Sequence, residues 1–303
     1  MYKIKFNKSR ISTRHLDTNL KHYIAVAPKF GVGIIGHSFV RRWARECIQH
    51  TSYRASSVLS TELGLVSEDV SEHKLSTTPI LSHLKCDNKI SKVYVFGGEG
   101  HNKLNLVSQL HNYVDMINSW TDVKMLIVDI FSNNIAALSE TPSGAPGYDH
   151  AIDTALTLIL SDFKSFISSI RSDIVVVALS VTPRTGGLLR PIKRSPYQKK
   201  KNHTSEDIAA AQQRFDQRRL AINITLHQMD QEARLGQSPT NFRYHPITCW
   251  PNNNIHDWMH KDNIHPTPEQ LRIHYSSQLK KAIQNTKNKP VVHQILTDQN
   301  RHN

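Results

Sequence analysis

The chain has 303 residues, 38% of them hydrophobic, which suits one large α/β domain or two small ones with a core that can be sizeable without disulfides. Cys47, Cys86 and Cys249 are an odd count with no pairing pattern, which excludes a disulfide framework and points to a reducing, intracellular compartment, cytoplasmic or nuclear. The formal net charge of +13 favours contact with polyanions, most simply nucleic acid, while no apolar run is long enough for a membrane span.

Residues 1–29 read as a basic extension without the apolar core of a secretory signal, with a short strand over 23–27. Ile34 and Ile35 close an apolar run that predicts a buried strand over 31–35. Gly36 and His37 break it, and Ser38 stands at the break. Val40, Trp43, Ala44, Cys47 and Ile48 then recur at helical spacing, so a helix starts at once and runs to about residue 50. Ser38 is there either a helix N-cap or a nucleophile at the carboxyl edge of a sheet. Leu59, Leu63, Leu65 and Val66 give a short helical patch, and 70–85 reads as a long connection.

A second strand is predicted over 93–96. Gly97, Gly98 and Gly100 follow it as a turn that lets backbone approach a ligand. No Lys-Ser or Lys-Thr pair follows at phosphate-loop spacing. Asn102 caps the next helix, whose stripe is Val107, Leu110, Val114 and Ile117. The near-continuous apolar run 125–130 predicts a buried parallel strand, ending in Ser132, Asn133 and Asn134, which make a turn or offer amide donors.

After a loop over 141–148, a helix over 149–171 carries the stripe Ile152, Leu156, Ile159, Phe163, Phe166 and Ile170, and DIVVVALSV is a fourth strand. Residues 183–203 form a basic insertion with Arg184, Arg190, Lys193, Arg194, Lys199, Lys200 and Lys201. It reads as a solvated loop or as a phosphate-contact surface; with only Tyr197 interleaved, base stacking is not indicated. Thr204 caps a helix carrying Ile208, Ala211, Phe215, Ile222, Leu226 and Met229, closed by Gly236, and a fifth strand lies over 242–248. Thr267, Pro268 and Gln270 mark a terminal helix with the stripe Leu271, Tyr275, Leu279 and Ala282. His265 lies just before that start, and Asp262 three residues earlier. The tail beyond residue 285 is polar, giving a domain over 30–286 and a tail over 287–303. The strand–helix alternation predicts a three-layer α/β/α sandwich around a mostly parallel five-stranded sheet.

The order strand–Gly36-His37-Ser38–helix, strand–Gly100 (with Gly98 the second match), strand–Ser132-Asn133-Asn134, and Asp262-Asn263-Ile264-His265 before the last helix resembles the SGNH hydrolases, also called GDSL esterases and lipases. The resemblance covers about residues 29–284. GHSFVRR, with the basic middle segment, is also similar to the esterase-type domains carried by some invertebrate mobile elements. It implies a flavodoxin-like strand order and a serine hydrolase acting on a small ester or acylated substrate without cofactor or metal. Ser38 is then the nucleophile, His265 the base, and Asp262 the residue that orients it. The backbone amides of Ser38 and Gly100 and the side chain of Asn133 form the oxyanion hole. His37 departs from the acidic residue of the family pattern, and Phe131 and Asn134 depart from a glycine and an aspartate. The residue chemistry supports the same roles: a neutral serine needs a base, histidine titrates near neutrality, and a carboxylate fixes its tautomer.

Two other readings use the same residues. His256, His260 and His265 with Asp257 and Asp262 are a metal-ligand set, although the asparagine run before them argues for a loop and the zincin glutamate is missing. A domain of the same fold without catalysis would serve as a binding module, for nucleic acid if the basic insertion contacts phosphates.

Overall fold

The computed structural model describes residues 30–49, 74–75, 90–97, 104–140, 148–189, 203–247, 259 and 264–287. Strand β1 (Phe30–Gly36) leads directly into helix α1 (Ser38–Gln49). A two-residue strand, β2 (Lys74–Leu75), precedes β3 (Ile90–Gly97). A 3-10 segment, Val107–Tyr113, runs into α2 (Val114–Ser119), followed by β4 (Val123–Asp129) and α3 (Phe131–Glu140). Helix α4 (Tyr148–Ser169), β5 (Val175–Leu179), α5 (Ser205–Arg234) and β6 (Phe242–His245) continue the alternation. The last helix, α6, runs as Pro268–Gln270, a π-turn at Leu271–Tyr275, and Ser276–Lys287.

The sheet order is β2-β3-β1-β4-β5-β6. All pairs are parallel except β2 against β3. Counting only the parallel strands, the chain visits the sheet in the flavodoxin-like order 2-1-3-4-5. Alternating side chains give the sheet two apolar faces. On one, Val32, Ile34, Val95, Ile127 and Leu179 pack against Val40 and Trp43 of α1 and Leu271, Tyr275 and Leu279 of α6. On the other, Ile35, Phe96, Leu126, Val128 and Val176 pack against the 3-10 segment, α2, α3, α4 and α5. The result is the α/β/α sandwich that the alternation predicts. Among the described residues, no helix is long and apolar enough to cross a membrane.

The differences from expectation have local causes. The sheet has six strands rather than five, because Lys74 and Leu75 pair with Tyr94 and Val93 inside the stretch read as a connection. Two residues are too few to show a period. The helix expected to start at Asn102 starts at Val107 instead: the Gln109 side chain accepts from the N–H groups of Asn105 and Leu106, and Asn134 Oδ1 accepts from the Val107 N–H at 3.0 Å. Gln109 is a local signal for this start, while the Asn134 cap comes from a distant segment and leaves no mark near Val107. Ser132, Asn133 and Asn134 lie not in a turn but in the first turns of α3. Its opposite end is fixed by α5, whose Arg218 and Arg214 donate to the Leu138 and Ser139 carbonyls at 2.8 and 3.0 Å. The Thr204 cap holds as read: its hydroxyl accepts from the Asp207 N–H at 3.1 Å, the Asp207 carboxylate accepts from the Thr204 N–H at 3.0 Å, and Gly236 closes the helix at φ 85°. The expected strand over 23–27 and the helical patch from Leu59 to Val66 lie outside the described residues.

Gly36 allows β1 to press against β4. A Cβ there would sit 2.3 Å from the Asp129 carbonyl oxygen and 2.6 Å from Val40 Cγ2. The first of these is backbone and cannot rotate away. Gly36→Ala is therefore expected to destabilise the fold by about 2–3 kcal/mol, read as a lowered Tm in a calorimetric scan.

Candidate active site

Ser38 is the first residue of α1, at the carboxyl end of β1. Gly36 is paired with Asp129 at the end of β4, and the His37 N–H donates to the Asp129 carbonyl at 3.1 Å. The two strand ends therefore lie side by side where the strand order reverses, the usual place for a ligand in an open α/β sheet. The N-cap of α1 is His37, not Ser38. The His37 carbonyl accepts from the Val40 N–H at 3.1 Å, and its Nδ1 accepts from the Phe39 N–H at 3.3 Å. A ring nitrogen thus does the work that the sequence reading offered to the serine hydroxyl. Two of the helix-start donors, the Phe39 and Val40 N–H groups, are thus spent on His37.

Because Nδ1 accepts, the His37 proton sits on Nε2, which faces Asp129 Oδ1 at 3.5 Å. The other carboxylate oxygen of Asp129 accepts from the Tyr275 hydroxyl at 2.6 Å. All three side chains are buried. Burial and the neighbouring Asp129 carboxylate hold the Tyr275 phenol well above its ordinary value, so it stays a donor.

This contact helps to dock α6. In another, Trp43 Nε1 donates to Ser276 Oγ at 2.8 Å, tying the π-turn region to α1. Thr267 caps the helix through the Gln270 N–H at 3.4 Å. His265, just before the cap, is thereby brought over α1. Its Nε2 lies 2.7 Å from Ser38 Oγ, across 227 residues of sequence. The Phe39 ring packs beside the imidazole at 5.1 Å. His265 is buried and Ser38 is half-buried. At that distance the hydroxyl and the ring nitrogen share one proton, with the donor set by the imidazole tautomer.

Asn133 stands in the first turn of α3, behind β4. Its Oδ1 accepts from Arg184 Nη2 at 2.7 Å, and Ser132 Oγ accepts from Arg184 Nε and Nη2 at 3.0 and 2.8 Å. Arg184 is buried, with its guanidinium 5.5 Å from the centre of the Phe215 ring. Placing Arg184 in a solvated basic loop was wrong: β5 ends at Leu179, and the chain turns back so that this side chain enters the site wall. The remaining basic residues of that insertion, Arg190, Lys193, Arg194, Lys199, Lys200 and Lys201, lie outside the described residues, as do Gly98, Gly100, Asp262 and the candidate metal ligands His256, Asp257 and His260. Cys47 does not compete as a nucleophile, since burial pushes its thiol up to about 12.

The sequence reading missed Asp129, Tyr275 and Arg184. Asp129 had a signal, a lone carboxylate ending the apolar run MLIVD at a sheet edge. Tyr275 fitted the helix stripe, and its hydroxyl left no trace in the pattern.

No protein-family model matches the chain, and no curated protein matches it. Among solved structures, the chain is similar to the C-terminal catalytic domain of Streptococcus pneumoniae peptidoglycan O-acetyltransferase A, bearing a methylsulfonyl adduct. Identity is 11% with a TM-score of 0.41, over 87% of this chain and 97% of that one. It is also similar to a streptococcal protein provisionally described as a platelet activating factor, at 11% identity and a TM-score of 0.43, over 90% of this chain and 91% of that one.

Proposed function

We propose that the chain is a serine hydrolase that cleaves a small carboxylic ester through an acyl-serine intermediate. The observation that carries this is the 2.7 Å contact between Ser38 Oγ and His265 Nε2 at a helix start on the switch-point edge of the sheet. In the proposed cycle Ser38 Oγ bonds to the carbonyl carbon while its proton passes to His265 Nε2. The carbonyl electron pair moves to oxygen, facing the Ser38 N–H, the Asn133 Nδ2 and the Gly100 backbone amide. Collapse of the intermediate expels the alcohol, which takes the proton from His265. Water, deprotonated by His265, then releases the acid and restores Ser38. Asp262 is the residue proposed to orient His265 through Nδ1.

A fluorophosphonate probe tests this directly. Wild type is expected to be labelled on Ser38, and Ser38→Ala to stay unlabelled at equal Tm. Labelling that persists in the variant would reject the proposed nucleophile.

Nucleic-acid contact by the basic insertion rests on the +13 charge and the clustering of its lysines. If it occurs, duplex DNA binding falls steeply between 50 and 200 mM salt, and neutralising Lys199, Lys200 and Lys201 lowers the salt slope by about 3 while ester turnover is unchanged. No binding at low salt removes this idea.

A further inference from the structure

We propose that Arg184 is a positioning residue of the oxyanion site, setting the orientation and donor strength of the Asn133 side chain; this rests on the serine-hydrolase reading above. An asparagine amide can present either end to a ligand. Only its NH₂ end can stabilise an oxyanion, and the wrong rotamer would place a carbonyl dipole against the developing charge. Asn133 lies half-buried in the first turn of α3, where backbone geometry alone does not choose between the two. Arg184 makes the choice. Its guanidinium has donors only, so the atom 2.7 Å from Nη2 must be the Asn133 oxygen, and Nδ2 is turned to the other side.

The anchor is itself immobilised at several points. Nε and Nη2 both donate to Ser132 Oγ, in a fork that fixes the plane of the guanidinium. The Phe215 ring of α5 supports it at 5.5 Å, and Gln212, one turn earlier on α5, donates to the Arg184 carbonyl at 2.8 Å. Together these contacts join α3 and α5 around one amide. A charged donor on Oδ1 also polarises the amide, so the Nδ2 hydrogens become better donors when the oxyanion forms. The gain appears only as charge develops, so it is a gain in kcat rather than in substrate binding.

The experiment is a double-mutant cycle on hydrolysis of p-nitrophenyl acetate, with Tm recorded for every variant. Asn133→Ala is expected to lower kcat about a hundredfold. Arg184→Met is expected to lower kcat about ten- to a hundredfold with KM within about twofold of wild type. Arg184→Lys keeps the charge and the stem but not the fork, and is expected to fall between, which keeps the test decisive if the methionine variant does not fold. Because Arg184 acts through Asn133, adding Arg184→Lys to Asn133→Ala is expected to cost no more than about twofold further. Independent, multiplicative losses in that double variant, or an unchanged kcat in Arg184→Lys, overturn the inference and leave the Ser38 reading intact. A wild-type protein inert to both the ester and the fluorophosphonate probe overturns the hydrolase reading and this inference with it.

Discussion

Ser38→Ala and His265→Ala are each expected to lower kcat/KM for a short aryl ester by about 10⁴-fold or more, and the double variant by less than about tenfold beyond either one. The reason is that in the proposed cycle the two groups act as one device. Without the imidazole, the hydroxyl at 2.7 Å is a neutral alcohol of ordinary reactivity; without the hydroxyl, the imidazole has no proton to take. Two side chains acting separately would multiply their losses. Steady-state kinetics on the three variants, normalised to folded protein, distinguish the cases. Equal turnover in wild type and Ser38→Ala would assign the hydrolysis to other groups.

Asp129→Ala is expected to cost about 1–3 kcal/mol in stability, because it strips the buried Tyr275 hydroxyl of its acceptor. Native stabilities total about 5–15 kcal/mol, so a large shift in Tm follows. Asparagine is a poor substitute: its oxygen can serve Tyr275, but its NH₂ then faces the Nε2–H of His37, which cannot change tautomer without surrendering the Phe39 N–H. Tyr275→Phe leaves one carboxylate oxygen unsatisfied and is expected to cost about 1–3 kcal/mol. Its signature lies in pH. The folded phenol titrates well above an ordinary tyrosine, so the stability it contributes is complete below about pH 10 and is lost above it, as the unfolded phenol ionises while the folded one does not. Removing the hydroxyl should therefore flatten the alkaline limb of a plot of stability against pH. An unchanged limb would mean that the phenol titrates alike in both states.

What the sequence made legible was whatever local chemistry sets. The apolar strands, the Thr204 and Thr267 caps, the glycine–serine break after β1 and the place of His265 before the last helix each leave a mark within a few residues. What stayed hidden depends on partners far away in sequence. The start at Val107 is capped by Asn134, the N-cap of α1 is a ring nitrogen whose role depends on Asp129 and Phe39, and Arg184 looked like one more basic residue because charge counting is blind to burial. Helix α3 was overlooked because its first turns hold serine and asparagines, residues that compete with the backbone for hydrogen bonds in a helix.

The docking of α6 onto α1 and β4 also dictates when during synthesis the site comes into being. Ser38 leaves the ribosome ahead of His265, which follows 227 residues later on a segment that docks against Trp43 and Asp129. At about 5–20 residues per second the nascent chain spends about ten to forty-five seconds with Ser38 made and His265 not yet translated. During that interval Val40 and Trp43 also lack the apolar cover that Leu271, Tyr275 and Leu279 later supply. Completion of the hydrophobic seal and arrival of His265 beside Ser38 are thus a single late event, and a chain cut before residue 264 would leave the apolar face of α1 uncovered and, on the proposed cycle, lack its base.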